Sequence, residues 1–66
     1  MVENDVKDLR AAQEISQADL GAALGVSRQT VIAIERGRYD PSLPLAIKIA
    51  RYFGLSVEEV FHVDGC

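Results

Sequence analysis

Residues 17–36 of this chain read Gln17-Ala-Asp-Leu-Gly-Ala-Ala-Leu-Gly-Val-Ser-Arg-Gln-Thr-Val-Ile-Ala-Ile-Glu-Arg36. Apolar residues recur there at three- and four-residue intervals on both sides of a break, which predicts two short amphipathic helices. The break is Leu24-Gly25-Val26-Ser27, in which the glycine can take a positive φ and the serine can cap the next helix. The stretch therefore predicts two helices, about 17–24 and 28–36, joined by a tight turn.

Length and composition narrow the class of protein. The 66 residues predict one domain, 1–66, which buries only about 60% of its unfolded surface and so needs well-packed helices or a second copy. The single cysteine, Cys66, cannot form a disulfide within the chain, and the single histidine, His62, cannot make a metal site alone. We therefore expect no metal or other cofactor. No apolar run approaches the roughly 18 residues of a membrane span, and no leader opens the chain. We expect a cytoplasmic protein without membrane contact.

Helix start and stop signals recur along the whole chain. They predict five helices at about 5–13, 17–24, 28–36, 43–53 and 57–61, each of the last four preceded by a serine that can cap it: Ser16, Ser27, Ser42 and Ser56. Gly37 and Gly54 stand where left-handed glycines end helices. In the second helix we expect Leu20, Ala23 and Leu24 to line the inner face. The tail Val60–Val63 favours a short strand, with which Met1–Asn4 can pair.

The third predicted helix has two chemically different faces. Val31, Ile34 and Glu35 point one way, and the two apolar side chains must be covered by other helices. The opposite face carries polar and small groups at helical spacing: Gln29, Ile32, Ala33 and Arg36. Glutamine can bond adenine and arginine can bond guanine in bidentate pairs, while aliphatic groups can touch a thymine methyl. An isolated Arg/Gln-rich face is more often merely solvated, but here it follows a capped glycine turn.

Two helices with this turn are the layout of a helix-turn-helix, whose second helix enters the DNA major groove. Arg28, Gln29 and Thr30 lie in the first turn of that helix, and the amide of Gln17 at the start of the preceding helix can hold a phosphate. The overall net charge of −3 argues against general affinity for nucleic acid. Residues 28–51, however, hold five basic and two acidic side chains, and such a local field acts within a Debye length of about 8–10 Å.

Arg10 and Glu35 are a candidate ion pair rather than a catalytic site. Arg10 lies on the first predicted helix, and Glu35 lies on the inward half of the third. A guanidinium and a carboxylate at these places would lock the two helices together, and leaving either one alone would cost several kcal/mol. We therefore assign Glu35 a structural role.

The chain closely resembles the phage-repressor/Cro-like helix-turn-helix proteins, often called the Xre family. The resemblance covers nearly the whole chain, and the motifs that carry it in order are Leu9-Arg10, Ile15–Gly21, Leu24–Val31, Ile34–Leu43, and Ala46 with Ile49 and Ala50. It is especially close to the small stand-alone prokaryotic regulators. Ile32 departs from the pattern, because relatives commonly carry a small polar residue there.

The resemblance implies an all-α, five-helix, lambda-repressor-like fold and transcriptional control, usually repression, by a homodimer on palindromic double-stranded DNA. Together with the reasoning above, it gives the expected DNA-binding residues: Gln17, Ser27, Arg28, Gln29, Thr30, Ile32, Ala33, Arg36, Arg38 and Tyr39. It also implies a dimer interface in the C-terminal half, at Asp40, Leu43, Val57 and Phe61, and makes Arg10–Glu35 a familiar structural pair. No small-molecule ligand is expected.

Two other classes of function stay open. The acidic body and the apolar C-terminal residues would also suit a protein-interaction module, such as an antitoxin or the partner of a second regulator. Redox sensing through Cys66 is the other class, although a terminal cysteine is more often incidental. An enzyme fits poorly, because the chain offers no nucleophile with a base and no glycine-rich phosphate loop.

Overall fold

The computed structural model of the protein describes residues 2–63, so the hypothesis about Cys66 concerns a residue outside the described range. Within that range the chain forms five helices and two strands: β1 (Val2–Asn4), α1 (Val6–Ala12), α2 (Gln17–Leu24), α3 (Arg28–Glu35), α4 (Leu43–Tyr52), α5 (Val57–Val60) and β2 (Phe61–Val63). Every predicted helix is present, and each predicted end lies within one residue of the observed one. No helix between residues 2 and 63 is long and apolar enough to cross a membrane.

The predicted serine caps hold the starts of the last four helices. Ser16, Ser27 and Ser42 each accept, through Oγ, a hydrogen bond of 3.0, 3.2 and 3.3 Å respectively from the backbone N–H three residues further on. At Ser56 the backbone N–H donates to the Glu59 Oε1 at 3.1 Å, which is the carboxylate half of a capping box. Local chemistry therefore sets where these helices begin.

A single core lies between the helices. Its buried members come from every helix: Val6, Leu20, Leu24, Val31, Ile34, Ile49, Ala50 and Val60. Half-buried side chains surround them, including Leu9, Phe53 and Leu55. Helix α3 contributes Val31 and Ile34 to this cluster. Packing in the core therefore determines which face of α3 points inward.

The inner face of α2 differs from the expectation at one position. Ala23 is exposed, and Gly21 is buried in its place beside Leu20 and Leu24. A Cβ at Gly21 would stand 2.8 Å from the carbonyl oxygen of Val26, closer than real Cβ atoms come. The turn folds back so tightly on α2 that only glycine fits there. A glycine carries no apolar signal, so the pattern of hydrophobic residues missed it.

The two ends of the described chain meet in a small antiparallel sheet. Strands β1 and β2 pair in the register Val2↔Val63, Glu3↔His62 and Asn4↔Phe61. The predicted pairing of the two ends is confirmed, but Val60 ends α5 rather than starting the strand, and Phe61 belongs to β2 rather than to the last helix. Val60 is fully buried, and its carbonyl accepts a 3.0 Å hydrogen bond from the Asp5 N–H.

Candidate nucleic-acid interface

Helix α3 presents the two faces that its sequence predicts. Val31 and Ile34 are each 1% exposed and belong to the core. Gln29 lies in the first turn and is exposed, whereas Ile32 and Ala33 are only half-buried. The outward face is therefore polar at its N-terminal end and partly sheltered in its middle.

The hydroxyl groups at the start of α3 bond to each other and to the helix backbone. Ser27 Oγ accepts from the Thr30 N–H at 3.2 Å and lies 3.0 Å from Thr30 Oγ1. Ser27 therefore caps the helix, and Thr30 is half-buried. Arg28 and Gln29, between them, are exposed and extend from the first turn of the helix.

Arg10 and Glu35 form an ion pair that joins α1 to α3. Arg10 Nε donates to Glu35 Oε2 at 2.8 Å, and its Nη2 donates to Oε1 at 3.4 Å. The third nitrogen, Nη1, donates to the carbonyl oxygen of Ile15 at 3.0 Å, so the guanidinium is bonded on three sides. The hydrogen bond with Glu35 raises the pKa of Arg10 above its ordinary value, against the opposing effect of desolvation. The pair is structural in its geometry, because the Glu35 side chain is only 4% exposed.

Gln17 belongs to the same network. Its Nε2 donates to Glu35 Oε1 at 3.1 Å, so Glu35 accepts from two different helices. An amide nitrogen carries two hydrogens, and one of them remains for an acceptor outside this network. The contact fixes how the Gln17 side chain is turned at the start of α2.

The starts of α2 and α3 meet in one groove. Its volume is about 550 Å³, and Arg10, Ser16, Gln17, Ala18 and Arg28 line it. Both helix N-termini carry partial positive charge, and the exposed Arg28 adds a full one. This groove suits an anion such as a DNA phosphate, and it brings together two residues predicted to contact DNA.

The loop after α3 places a second set of predicted residues at the surface. Arg36 caps the C-terminus of α3, Arg38 is exposed, and Tyr39 is 46% exposed. Tyr39 lines a smaller groove of about 340 Å³ together with Lys48 and with residues 24–26 of the turn between α2 and α3. The loop and the helix-turn-helix turn therefore share one stretch of surface.

The four residues predicted for a dimer interface differ in exposure. Asp40 and Leu43 are exposed, and Leu43, at 68%, is the most exposed large apolar residue among those whose exposure the structure describes. Val57 and Phe61 are half-buried and pack against the core of their own chain. Part of the predicted interface is thus already used within the monomer.

Asn4, which the sequence did not indicate as a functional residue, forms a hydrogen bond with α3. Asn4 Nδ2 donates to the carbonyl oxygen of Ile34 at 2.8 Å, and its Oδ1 accepts from the Val6 N–H at 3.1 Å. An asparagine just before a helix is a known signal for the second contact. No local signal indicates the first, because 30 residues separate its partners.

The similarity to known proteins extends over almost the whole chain. The helix-turn-helix family model matches residues 6–60. An uncharacterized HTH-type transcriptional regulator of Methanocaldococcus jannaschii is 55% identical over 60 residues, covering 91% of both chains. A second such regulator, from Bacillus subtilis, is 51% identical over 63 residues, covering 96% of both.

More distant similarities agree with this family. The transcriptional repressor RstR of the cryptic phage CTXphi, from Vibrio cholerae, is 28% identical over 60 residues, which are 91% of this chain and 54% of RstR. The crystal structure of the restriction-modification controller protein C.AhdI from Aeromonas hydrophila superposes with a TM-score of 0.73 at 31% identity, over 82% of this chain and 78% of that one. The chain therefore belongs to the Xre/Cro-like helix-turn-helix family of DNA-binding transcriptional regulators.

Proposed function

We propose that this protein is a sequence-specific repressor that binds a palindromic operator as a homodimer, with α3 of each subunit in the major groove. The observation that carries this proposal is the groove where α2 and α3 begin. Gln17 and Arg28 line it together, and Gln29 is exposed on the adjacent first turn of α3. Phosphate-binding and base-reading groups thus lie side by side, as recognition through a helix N-terminus requires.

The proposed contacts divide into two kinds. Base edges are read from the outward face of α3, where Arg28, Gln29 and Arg36 supply the hydrogen bonds. Thr30, Ile32 and Ala33 supply close packing. Phosphates are held from both sides of α3, by Gln17 at one groove and by Arg38 and Tyr39 in the following loop. Ser27 acts through the helix that it caps.

A second copy of α3 would offset the weak general attraction of this acidic chain to DNA. The chain carries a net charge of −3, so sequence-independent attraction to DNA is weak. Two copies of α3 about 34 Å apart would reach successive major grooves and double the specific contacts. Leu43, at 68% exposure, is a large apolar side chain that such an interface would cover. We assign Asp40, Val57 and Phe61 to the same interface.

Repression is supported by the relative RstR, which is a transcriptional repressor. A bound dimer would occupy promoter DNA and exclude other proteins from it. This mode needs no chemistry at the site beyond the contacts with DNA.

Selection from a pool of random duplex DNA tests the proposal. We expect enrichment of one sequence family with two inverted half-sites, whose centres lie about 10 base pairs or a multiple of that apart. Binding should weaken steeply as salt rises, because phosphate contacts release counterions. If no sequence is enriched at low salt, the protein is not a sequence-specific regulator.

The oligomeric state needs its own experiment. Light scattering of the free protein should give the mass of two chains, and Leu43→Asp should reduce it to one. Phe61→Ala and Val57→Asp should act in the same direction, but both side chains also pack against their own core. Ala23→Asp, which adds the same charge at an exposed position of α2, is the matched control and should leave the mass unchanged. A single-chain mass for the wild type excludes a preformed dimer.

A further inference from the structure

Asn4 joins three parts of the molecule through one side chain. It is the last residue of β1 and stands opposite Phe61 of β2. Its amide nitrogen donates to Ile34 in the last turn of α3, and its amide oxygen accepts from Val6 at the start of α1. We infer that Asn4 is a positioning residue that couples the terminal sheet to α3 and thereby sets the discrimination between DNA sequences. This inference rests on the function proposed above.

The bond to Ile34 acts on a carbonyl at the helix end. The last carbonyl groups of a helix lack partners within it, and their bonds decide how firmly the final turn is held. The carbonyl oxygen of Ile34 also accepts from the Gly37 N–H at 3.0 Å. Asn4 supplies a second donor from a distant segment, so the end of α3 is tied to the N-terminal strand as well as to its own loop.

The position of Asn4 depends in turn on the C-terminal segment. The Asp5 N–H donates to the Val60 carbonyl at 3.0 Å, and Asp5 Oδ2 lies 3.0 Å from His62 Nε2. Two strands of three residues each are marginal alone and need such anchors. A change at β2 therefore reaches α3 through β1 and Asn4.

Contacts with base edges should depend more on the hydrogen bond between Asn4 and Ile34 than contacts with phosphates do. Hydrogen bonds to base edges require the side chains of α3 in a narrow geometry, whereas charge attraction to phosphates tolerates small shifts. Loosening the last turn of α3 should thus lower affinity for the preferred operator more than affinity for unrelated DNA. A residue that served stability alone would not change this ratio.

The test variant is Asn4→Asp. Aspartate has the same shape and keeps the oxygen that accepts from Val6, but it turns a carboxylate oxygen toward the Ile34 carbonyl in place of the donor. The double variant Glu3→Gln/Asn4→Asp has the wild-type net charge, because it removes one carboxylate and adds another. Glu3 suits this purpose, since it is exposed and precedes Asn4 in β1. Leu55→Ala, which loses packing but keeps Asn4, is the control for lowered stability. All variants are compared at a temperature at which each is fully folded.

Two readouts decide the outcome. In both aspartate variants, amide hydrogen exchange should become about five- to tenfold faster at Gly37 and Arg38, the scale of one lost hydrogen bond, and should stay unchanged at Val26. The ratio of operator to unrelated-DNA affinity should fall by about the same factor, and Leu55→Ala should keep it. Unchanged exchange at Gly37 and Arg38 overturns the coupling. Faster exchange with an unchanged ratio overturns the role in discrimination, and a wild-type protein that prefers no sequence overturns the proposed function itself.

Discussion

The helix-turn-helix and the terminal sheet are held together in different ways. Residues 16–30 contain two serine caps and a glycine turn, and each of their polar cap contacts spans three residues. At the sheet, the side-chain contact between His62 of β2 and Asp5, just after β1, joins residues 57 positions apart. Each of the two side chains is about half exposed. The helix-turn-helix therefore has its shape specified locally and its interior buried. The sheet takes its stability from the body on which it lies.

This contrast predicts an order of energetic effects. Burial of apolar groups under α3 should dominate, and the partly buried ion pair should follow. The close backbone contact at the turn should come next. The exposed contact in the sheet should count least.

The largest loss is expected from Ile34→Ala on the inner face of α3. Ile34 is 1% exposed, so its removal leaves a cavity in the core and should lower the free energy of unfolding by about 2–5 kcal/mol. The matched control is Ile32→Ala in the same helix, which should cost clearly less because Ile32 is only half-buried. Urea denaturation measures both, and equal losses would show that α3 is not oriented as described.

Glu35→Ala should give the next largest loss. It leaves the Arg10 guanidinium, 16% exposed, without its partner, and we expect a loss of about 2–3 kcal/mol. Arg10→Met combined with Glu35→Ala should recover part of this loss, since no charge is then left unpaired. Thermal or urea unfolding of Glu35→Ala, Arg10→Met and the double variant gives the coupling energy. Strictly additive losses would argue against the pair.

Two glycines separate close packing from backbone conformation at the turn. Gly21→Ala places a Cβ 2.8 Å from the Val26 oxygen, and we expect a loss of about 1–3 kcal/mol. Gly25→Ala meets no atom within 4 Å but must keep a φ of +77°, which costs about 1 kcal/mol. Denaturation should rank Gly21→Ala as the more damaging. The reverse order would mean that strain in φ, and not the close approach of the turn to α2, limits the turn.

The smallest effect is expected in the sheet. His62→Ala removes a contact in which both side chains are about half exposed, so stability should change by less than about 0.5 kcal/mol near neutral pH. Calorimetry measures the change. A loss above 1 kcal/mol would show that the sheet carries more of the fold than its exposure indicates.

The sequence predicted the five helices and their starts because the signals are local. A serine just before a predicted helix can be recognised as its cap without knowing the rest of the fold. Ser27 is an example, since its Oγ accepts from the Thr30 N–H. The inward and outward faces of α3 follow from helical periodicity in the same way. The sequence even indicated the pairing of the two chain ends.

What the sequence did not predict depends on contacts between distant segments. The contact between Gln17 and Glu35 and that between Asn4 and Ile34 appear only when the helices are packed. Gly21 was missed in favour of Ala23, because a hydrophobicity pattern does not detect where two backbones touch. The ion pair of Arg10 and Glu35 could thus be predicted, but the contacts of Gln17 and Asn4 that join the same helices could not.

The affinity of Gln29→Ala for DNA tests most directly the claim that α3 reads base sequence. Gln29 is exposed, so the variant should fold normally and lose about 1–3 kcal/mol of binding free energy on the selected operator, with little change on unrelated DNA. Gln13→Ala, an exposed glutamine at the end of α1, is the matched control and should bind both as the wild type does. An equal loss on every sequence would make Gln29 a phosphate contact, and no loss at all would contradict the assignment of α3 as the helix that reads DNA.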